Sequence, residues 1–188
     1  MMLDEGMTRR LERMAFAAEM GSTTITASQD VAAIPVGSLK VGPFRKGANY
    51  TIPLWQANIL REFNLVEAGE GGPVSCSEIQ KQVAKESTTQ KLSGFQKNFY
   101  FNARCEEGIL QTHINANLKP KDMGRRFNSY FYDLLQVRLS KLLKLATSNP
   151  SKATRRDLPE EEQVLLDRLA TIISEWTSFF LKSQTPPP

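Results

Sequence analysis

The pattern of apolar and polar positions changes character along the chain: a short helical start, a strand-like stretch to about residue 68, and helical periodicity from there on. Between Thr8 and Met20, Leu11, Met14, Ala15 and Ala18 fall on one helix face, and Gly21 is a stop signal. From Thr23 the residues turn β-branched and small. Thr23–Thr26 and Val31–Ile34 read as short strands around the polar turn Ser28-Gln29-Asp30, with a further candidate over Val36–Val41. Gly42-Pro43 and Lys46-Gly47-Ala48-Asn49 are turn signals, and Tyr50-Thr51-Ile52 alternates like a half-buried strand. Pro53 then opens a helix, because its missing N–H costs nothing in a first turn, and Leu54, Trp55, Ile59, Leu60 and Phe63 give that helix an apolar face. Asn64 is placed to end it, and Leu65-Val66-Glu67 returns to strand.

Gly69-Glu70-Gly71-Gly72-Pro73 reads as a linker. Beyond it, Ser75 or Ser77 caps a helix carrying Ile79 and Val83. A second helix, starting near Thr88 or Ser93, carries Phe95, Phe99, Ala103, Ile109, Leu110 and Ile114 and ends at Lys119-Pro120. Gly124 precedes a third, about Phe127 to Thr147. Its stripe Phe127, Phe131, Leu135, Leu139, Leu142, Leu143 lies beside a second one, Tyr130, Leu134, Val137, Leu145, so the apolar arc is wide enough for the middle of a bundle. The last helix opens on Asp157-Leu158-Pro159-Glu160, an acidic N-cap with a proline in the first turn, and Glu160-Glu161-Glu162 there complement the helix dipole. It runs through Leu165, Leu169, Ile172, Trp176, Phe179 and Phe180. The predicted fold class is α+β, mainly α. A helical extension (1–21) and a small β-rich domain (22–68) lead through a linker (69–74) to an α-helical bundle domain (75–183) and a flexible tail (184–188).

Composition sharpens this outline. The chain has 188 residues, 40% apolar and 9% aromatic, enough for a real core. Two cysteines and one histidine argue against a disulfide framework or a zinc site and point to a reducing compartment. The charged N-terminus lacks the apolar core of a signal peptide, and no run approaches the roughly 20 apolar residues of a membrane span. A soluble, intracellular protein with no membrane partner is expected.

The net charge of +4 is mild, but it is unevenly spread. Residues 115–156 hold ten basic and two acidic side chains, net +8, whereas 157–188 hold two basic and six acidic, net −4. The basic set includes Lys119, Lys121, Arg125, Arg126, Arg138, Lys141 and Lys144. These residues do not share one helix face, so a solvated or acid-pairing surface is the first reading and direct DNA contact the second.

Catalytic chemistry is hard to assemble from these residues. His113 has no carboxylate or nucleophile partner in view, Cys76 and Cys105 lack a base, and no glycine loop ending in Lys-Ser/Thr is present. No catalytic residue, cofactor or metal ligand is expected. Phe95, Phe99, Tyr100 and Phe101 read as core or subunit interface ahead of base stacking. Trp176, Phe179 and Phe180 read as core or as an interface anchor, since large aromatics near a chain end must be covered by something.

Gly42-Pro43-Phe44, a variable turn, Tyr50-Thr51-Ile52-Pro53-Leu54-Trp55, Ala57 and Leu60 together resemble the small β-domain of GINS complex subunits, in the class that carries this domain ahead of the helical one. Phe131-Tyr132-Asp133-Leu134-Leu135-Gln136-Val137-Arg138-Leu139 resembles the family's central helix. The likeness covers roughly residues 22–182; the N-terminal helix has no obvious counterpart, and Gln56 stands where an apolar residue is usual. The resemblance implies a non-enzymatic subunit of a heterotetramer that scaffolds the replicative helicase between the MCM ring and a Cdc45 or RecJ-like partner, with any DNA contact indirect. An archaeal, nucleoid-associated setting is favoured over a eukaryotic nucleus. Contacts with partners are expected at Phe44, Tyr50 and Trp55 in the β-domain and at Phe131, Leu135, Leu142, Trp176, Phe179 and Phe180 in the helical one. A nucleic-acid-binding module using residues 119–156 is the alternative.

Overall fold

The computed structural model describes residues 6–69, 74–148 and 152–181. In chain order these form α1 (Met7–Met20), β1 (Ser22–Ala27), β2 (Ile34–Val36), β3 (Leu39–Val41), β4 (Asn49–Pro53), α2 (Leu54–Glu62), β5 (Val66–Ala68), α3 (Cys76–Thr88), α4 (Phe99–Asn115), α5 (Lys121–Thr147), α6 (Lys152–Arg156) and α7 (Glu160–Leu181). The architecture is α+β and mainly α, as the sequence pattern implied. Residues 70–73 of the linker, residues 149–151 and the 184–188 tail lie outside the described residues.

β1 is the centre of a three-stranded antiparallel sheet with order β4-β1-β5. Its alternation decides which face is buried: Ile25 and Ala27 point into the core, Thr24 away from it. Val31–Ile34 does not form one strand. Val31 makes a single bridge to Phe44, and the hairpin β2–β3 begins only at Ile34, turning at Gly37 with φ +60°. A second glycine sets the position of Phe44. Gly42 has φ +91°, a conformation that disfavours any side chain, and a Cβ there would lie 3.3 Å from the Phe44 ring. The chain turns through Gly42 and the cis peptide to Pro43, and Phe44 enters the core with Ile25, Ala57, Leu60 and Val66. α2 starts after Pro53 and is followed by Asn64 at φ +55°, the ends that the sequence signals mark.

In the helical domain the Ser75 hydroxyl accepts from the Glu78 N–H at 3.2 Å and caps α3. The next helix starts later than its apolar spacing suggests, at Phe99, behind Asn98 in the left-handed region. The intervening loop holds Ser93 bonded to Glu86, and Phe95 stacks on Phe99 with ring centroids 4.3 Å apart from outside the helix. Gly124 does not precede α5 but lies within it. A Cβ at that position would come within 2.9 Å of Ile114 Cδ1, so glycine lets α5 approach α4 closely. The start expected at Asp157 falls at Glu160 instead, with the Pro159 carbonyl accepting from the N–H groups of Glu162 and Gln163 at 3.0 Å each. The short α6 carries no periodicity that the sequence would reveal.

Two contacts join the domains. α1 packs against both α2 and α7. α2 docks on α4 through an Arg61–Glu106 ion pair at 2.5 Å, and the buried His113 ring donates from Nε2 to the Glu62 carbonyl at 3.0 Å. His113 thus satisfies an otherwise unpaired carbonyl at the end of α2, the structural task expected of a histidine with no carboxylate partner.

Candidate functional site

The helical domain is held by an ionic cluster that no single segment announces. Arg138 lies on α5 between Leu134 and Leu142, one turn from each, on the face that α3 and α7 cover, and it is 1% exposed. A buried guanidinium needs acids, and two elements supply them. Nη1 donates to Glu86 Oε1 of α3 at 2.9 Å and to the Ser93 carbonyl at 2.8 Å. Nε and Nη2 form a fork on Glu162 of α7, at 2.7 and 2.5 Å, and the plane lies 4.3 Å from the Phe95 ring. Tyr100 donates to Glu162, and Ser93 and Lys141 donate to Glu86.

The charges in this cluster tune one another. Burial pushes the Glu86 carboxyl up, but the bonds from Lys141 and Ser93 and the charge of Arg138 more than offset it, leaving Glu86 below the usual range. Burial lowers the affinity of Arg138 for its proton, and its bonds to Glu162 reverse that and hold it firmly charged. Burial and the neighbouring Glu162 charge push the Tyr100 phenol far up, so it remains a donor. Burial raises both thiols, Cys76 and Cys105, which disfavours the thiolate form. Among the described residues no group of His, Cys, Asp or Glu is placed to hold a metal ion. The cluster joins α3, α5, α7 and the loop before α4.

Arg138 and Lys141 therefore leave the basic surface on which the sequence placed them: both are spent on Glu86, and Arg138 also on Glu162. Glu162 likewise serves the cluster rather than the helix dipole alone. Arg126 pairs with Asp122 at 2.6 Å on the same helix. Lys121, Arg125 and Lys144 remain exposed and Lys119 half-exposed. Glu86 escaped the sequence reading, while Ser93 read only as a helix start and Tyr100 only as core or interface; the signal for the cluster was Arg138 itself, a cation in the middle of an apolar stripe.

The expected contact residues divide in the same way. Phe44 and Leu142, 3% and 1% exposed, belong to cores and offer no surface. Tyr50 is half-buried edge-on against Phe44, and its hydroxyl accepts from the Arg45 N–H at 2.8 Å. Trp55 and Phe131 are half-buried. Leu135 is exposed on α5. Trp176, Phe179 and Phe180 are 67%, 76% and 67% exposed, and with Ile172 and Leu181 they make the outer half of α7 the most apolar exposed surface of the described residues. Trp176 and Phe180 touch, as do Phe179 and Phe180, with centroids 5.2 and 5.1 Å apart. A smaller apolar set, Phe16, Met20, Ile59 and Phe63, is exposed on α1 and α2.

The fold is thus a small sheet domain docked onto a helical bundle, with a polar cluster inside and exposed aromatics outside. Two family models match it: the GINS complex protein helical bundle domain over residues 76–178, and the PSF2 N-terminal domain over residues 10–65. The chain belongs to the GINS family, as a complex subunit of the PSF2 type acting in DNA replication. The N-terminal match begins inside α1, so that helix has a counterpart in the family after all. No curated protein matches the chain. No helix among the described residues is long and apolar enough to cross a membrane.

Proposed function

We propose that this subunit is a non-catalytic scaffold of the replicative helicase, which joins related GINS subunits into a heterotetramer through the outer half of α7 and helps hold the MCM ring to a Cdc45 or RecJ-like partner. The observation that carries the reading is the run of uncovered Ile172, Trp176, Phe179, Phe180 and Leu181 at the end of a helix whose first half is core. Clustered aromatics of this kind supply most of the energy of stable interfaces once a partner desolvates them. Tyr132 and Leu135 on α5 are exposed as well, and the exposed Arg45 and Lys46 of the small domain provide a polar contact for a further neighbour.

Co-expression with the other GINS-type subunits of the same source tests this. The expected result is self-association of the chain alone and an assembly of defined mass with its partners, read by light scattering. A well-behaved monomer that ignores those partners overturns it. DNA affinity of the isolated chain below about 1 µM with a steep salt slope would shift the weight to nucleic-acid binding.

A further inference from the structure

A groove of about 580 Å³ opens where the two domains meet, walled by Leu11 of α1, Phe101 of α4, Leu135 and Leu139 of α5, and Leu165 of α7. Its size is that of a site for a few side chains, and its walls are apolar. At its floor, Tyr100, Arg138 and Glu162 are bonded to one another and have no capacity to spare. Glu161 differs. Its Oε1 is shut off from water and has no hydrogen-bond partner, although Arg104 lines the same groove. A carboxylate oxygen in that position forfeits hydration with nothing in exchange. Glu12 adds a second carboxylate to the lining, from α1.

We propose that this groove receives an amphipathic segment of a neighbouring GINS subunit, apolar side chains against Leu135 and Leu139 and a lysine or arginine paired with Glu161. The inference rests on the scaffold reading and deepens it by naming a second contact, distinct from the end of α7. α1 forms one wall, so the groove is complete only when the N-terminal and helical domains are docked. Besides the paired Arg138 and Glu162, the charged groups of the lining are Glu12, Glu161 and Arg104, two acids against one cation, so a cation from outside meets a net acidic groove. Burial raises the Glu161 carboxyl above its ordinary value; a backbone hydrogen bond opposes this, and the nearby Glu160 and Glu162 add to it.

The test uses the full chain in its reconstituted complex. A photo-reactive residue at Leu135 should cross-link to one segment of a partner subunit with a Lys or Arg within a helical turn. Glu161→Lys should weaken assembly about tenfold or more, and exchange of that partner cation for Glu should restore it. Glu161→Gln should weaken assembly less and raise the melting temperature of the uncomplexed chain by about 2 to 4 °C, since it removes an unpaired buried charge; a purely structural glutamate would lower it. Unchanged assembly in both variants, a cross-link to a second copy of this chain, or a captured segment without a cation overturns the proposal. If Trp176→Asp disrupts the complex while the Glu161 variants do not, the groove proposal falls and the scaffold reading stands. If the wild-type chain enters no complex, both fall.

Discussion

In the first half of α7, Glu162, Val164 and Leu166 are 3%, 3% and 0% exposed; in the second half, Ile172, Trp176, Phe179 and Phe180 are 61% to 76% exposed. The two halves carry similarly apolar residues, and the difference is what covers them. The first is packed by α5 and α1 and closes the Arg138 cluster. In the second, no element of the described residues covers Ile172, Trp176, Phe179 or Phe180, although Ile173 beside them packs on the core. Leucine and valine on the inner half serve the subunit's own stability, while the large aromatics on the outer half leave apolar surface exposed, whose burial is worth about 25 cal/mol per Å².

Substitutions should separate the halves by the quantity they change. The largest effect on the chain itself is expected for Arg138→Ala, which leaves Glu86 and Glu162 buried without their cation and should cost about 3 to 5 kcal/mol in urea unfolding. Leu166→Ala, in the fully covered half, should cost about 2 to 4 kcal/mol by cavity formation. Tyr100→Phe removes one donor to Glu162 and should cost about 1 to 2 kcal/mol. Trp176→Ala and Phe179→Ala should change unfolding by less than about 0.5 kcal/mol while impairing assembly. A large loss of stability from the outer pair would break the distinction between the halves.

Acid should act on the buried Arg138 cluster, which the inner half of α7 closes, rather than on the outer half. Glu86 has a folded pKa below its ordinary value near 4.5, so its stabilisation is fully present above that value and is lost as the pH falls through the lowered one. Glu86→Gln should flatten the decline of stability between about pH 5 and pH 3, measured by urea titration at each pH. Its effect on assembly at neutral pH should follow from destabilisation only.

The small domain was readable because its signals are local. Pro53 before α2, Asn64 after it and the alternation of β1 each act within a few residues, as does Ser75 before α3 in the helical domain. The GINS likeness rests on such a stretch, Gly42-Pro43-Phe44 through Trp55. What stayed illegible is long-range. Whether Arg138 faces water or core depends on Glu86 and Glu162, 52 and 24 residues away, and Lys141 follows the same acid. Phe44 reads as a surface contact until the Gly42 turn carries it inward. Gly124 reads as a helix boundary until α4 is laid against it. The stripe Trp176, Phe179, Phe180 was visible as apolar, but only the fold shows that no element of the described chain covers it.

The mass of the assembly formed by Trp176→Asp/Phe179→Asp, co-expressed with the partner subunits and compared with wild type, tests the central claim most directly. The account predicts that the wild type gives a heterotetramer, whereas the variant is recovered outside it with unchanged helical content and melting temperature. A variant that still enters an assembly of the same mass would contradict it.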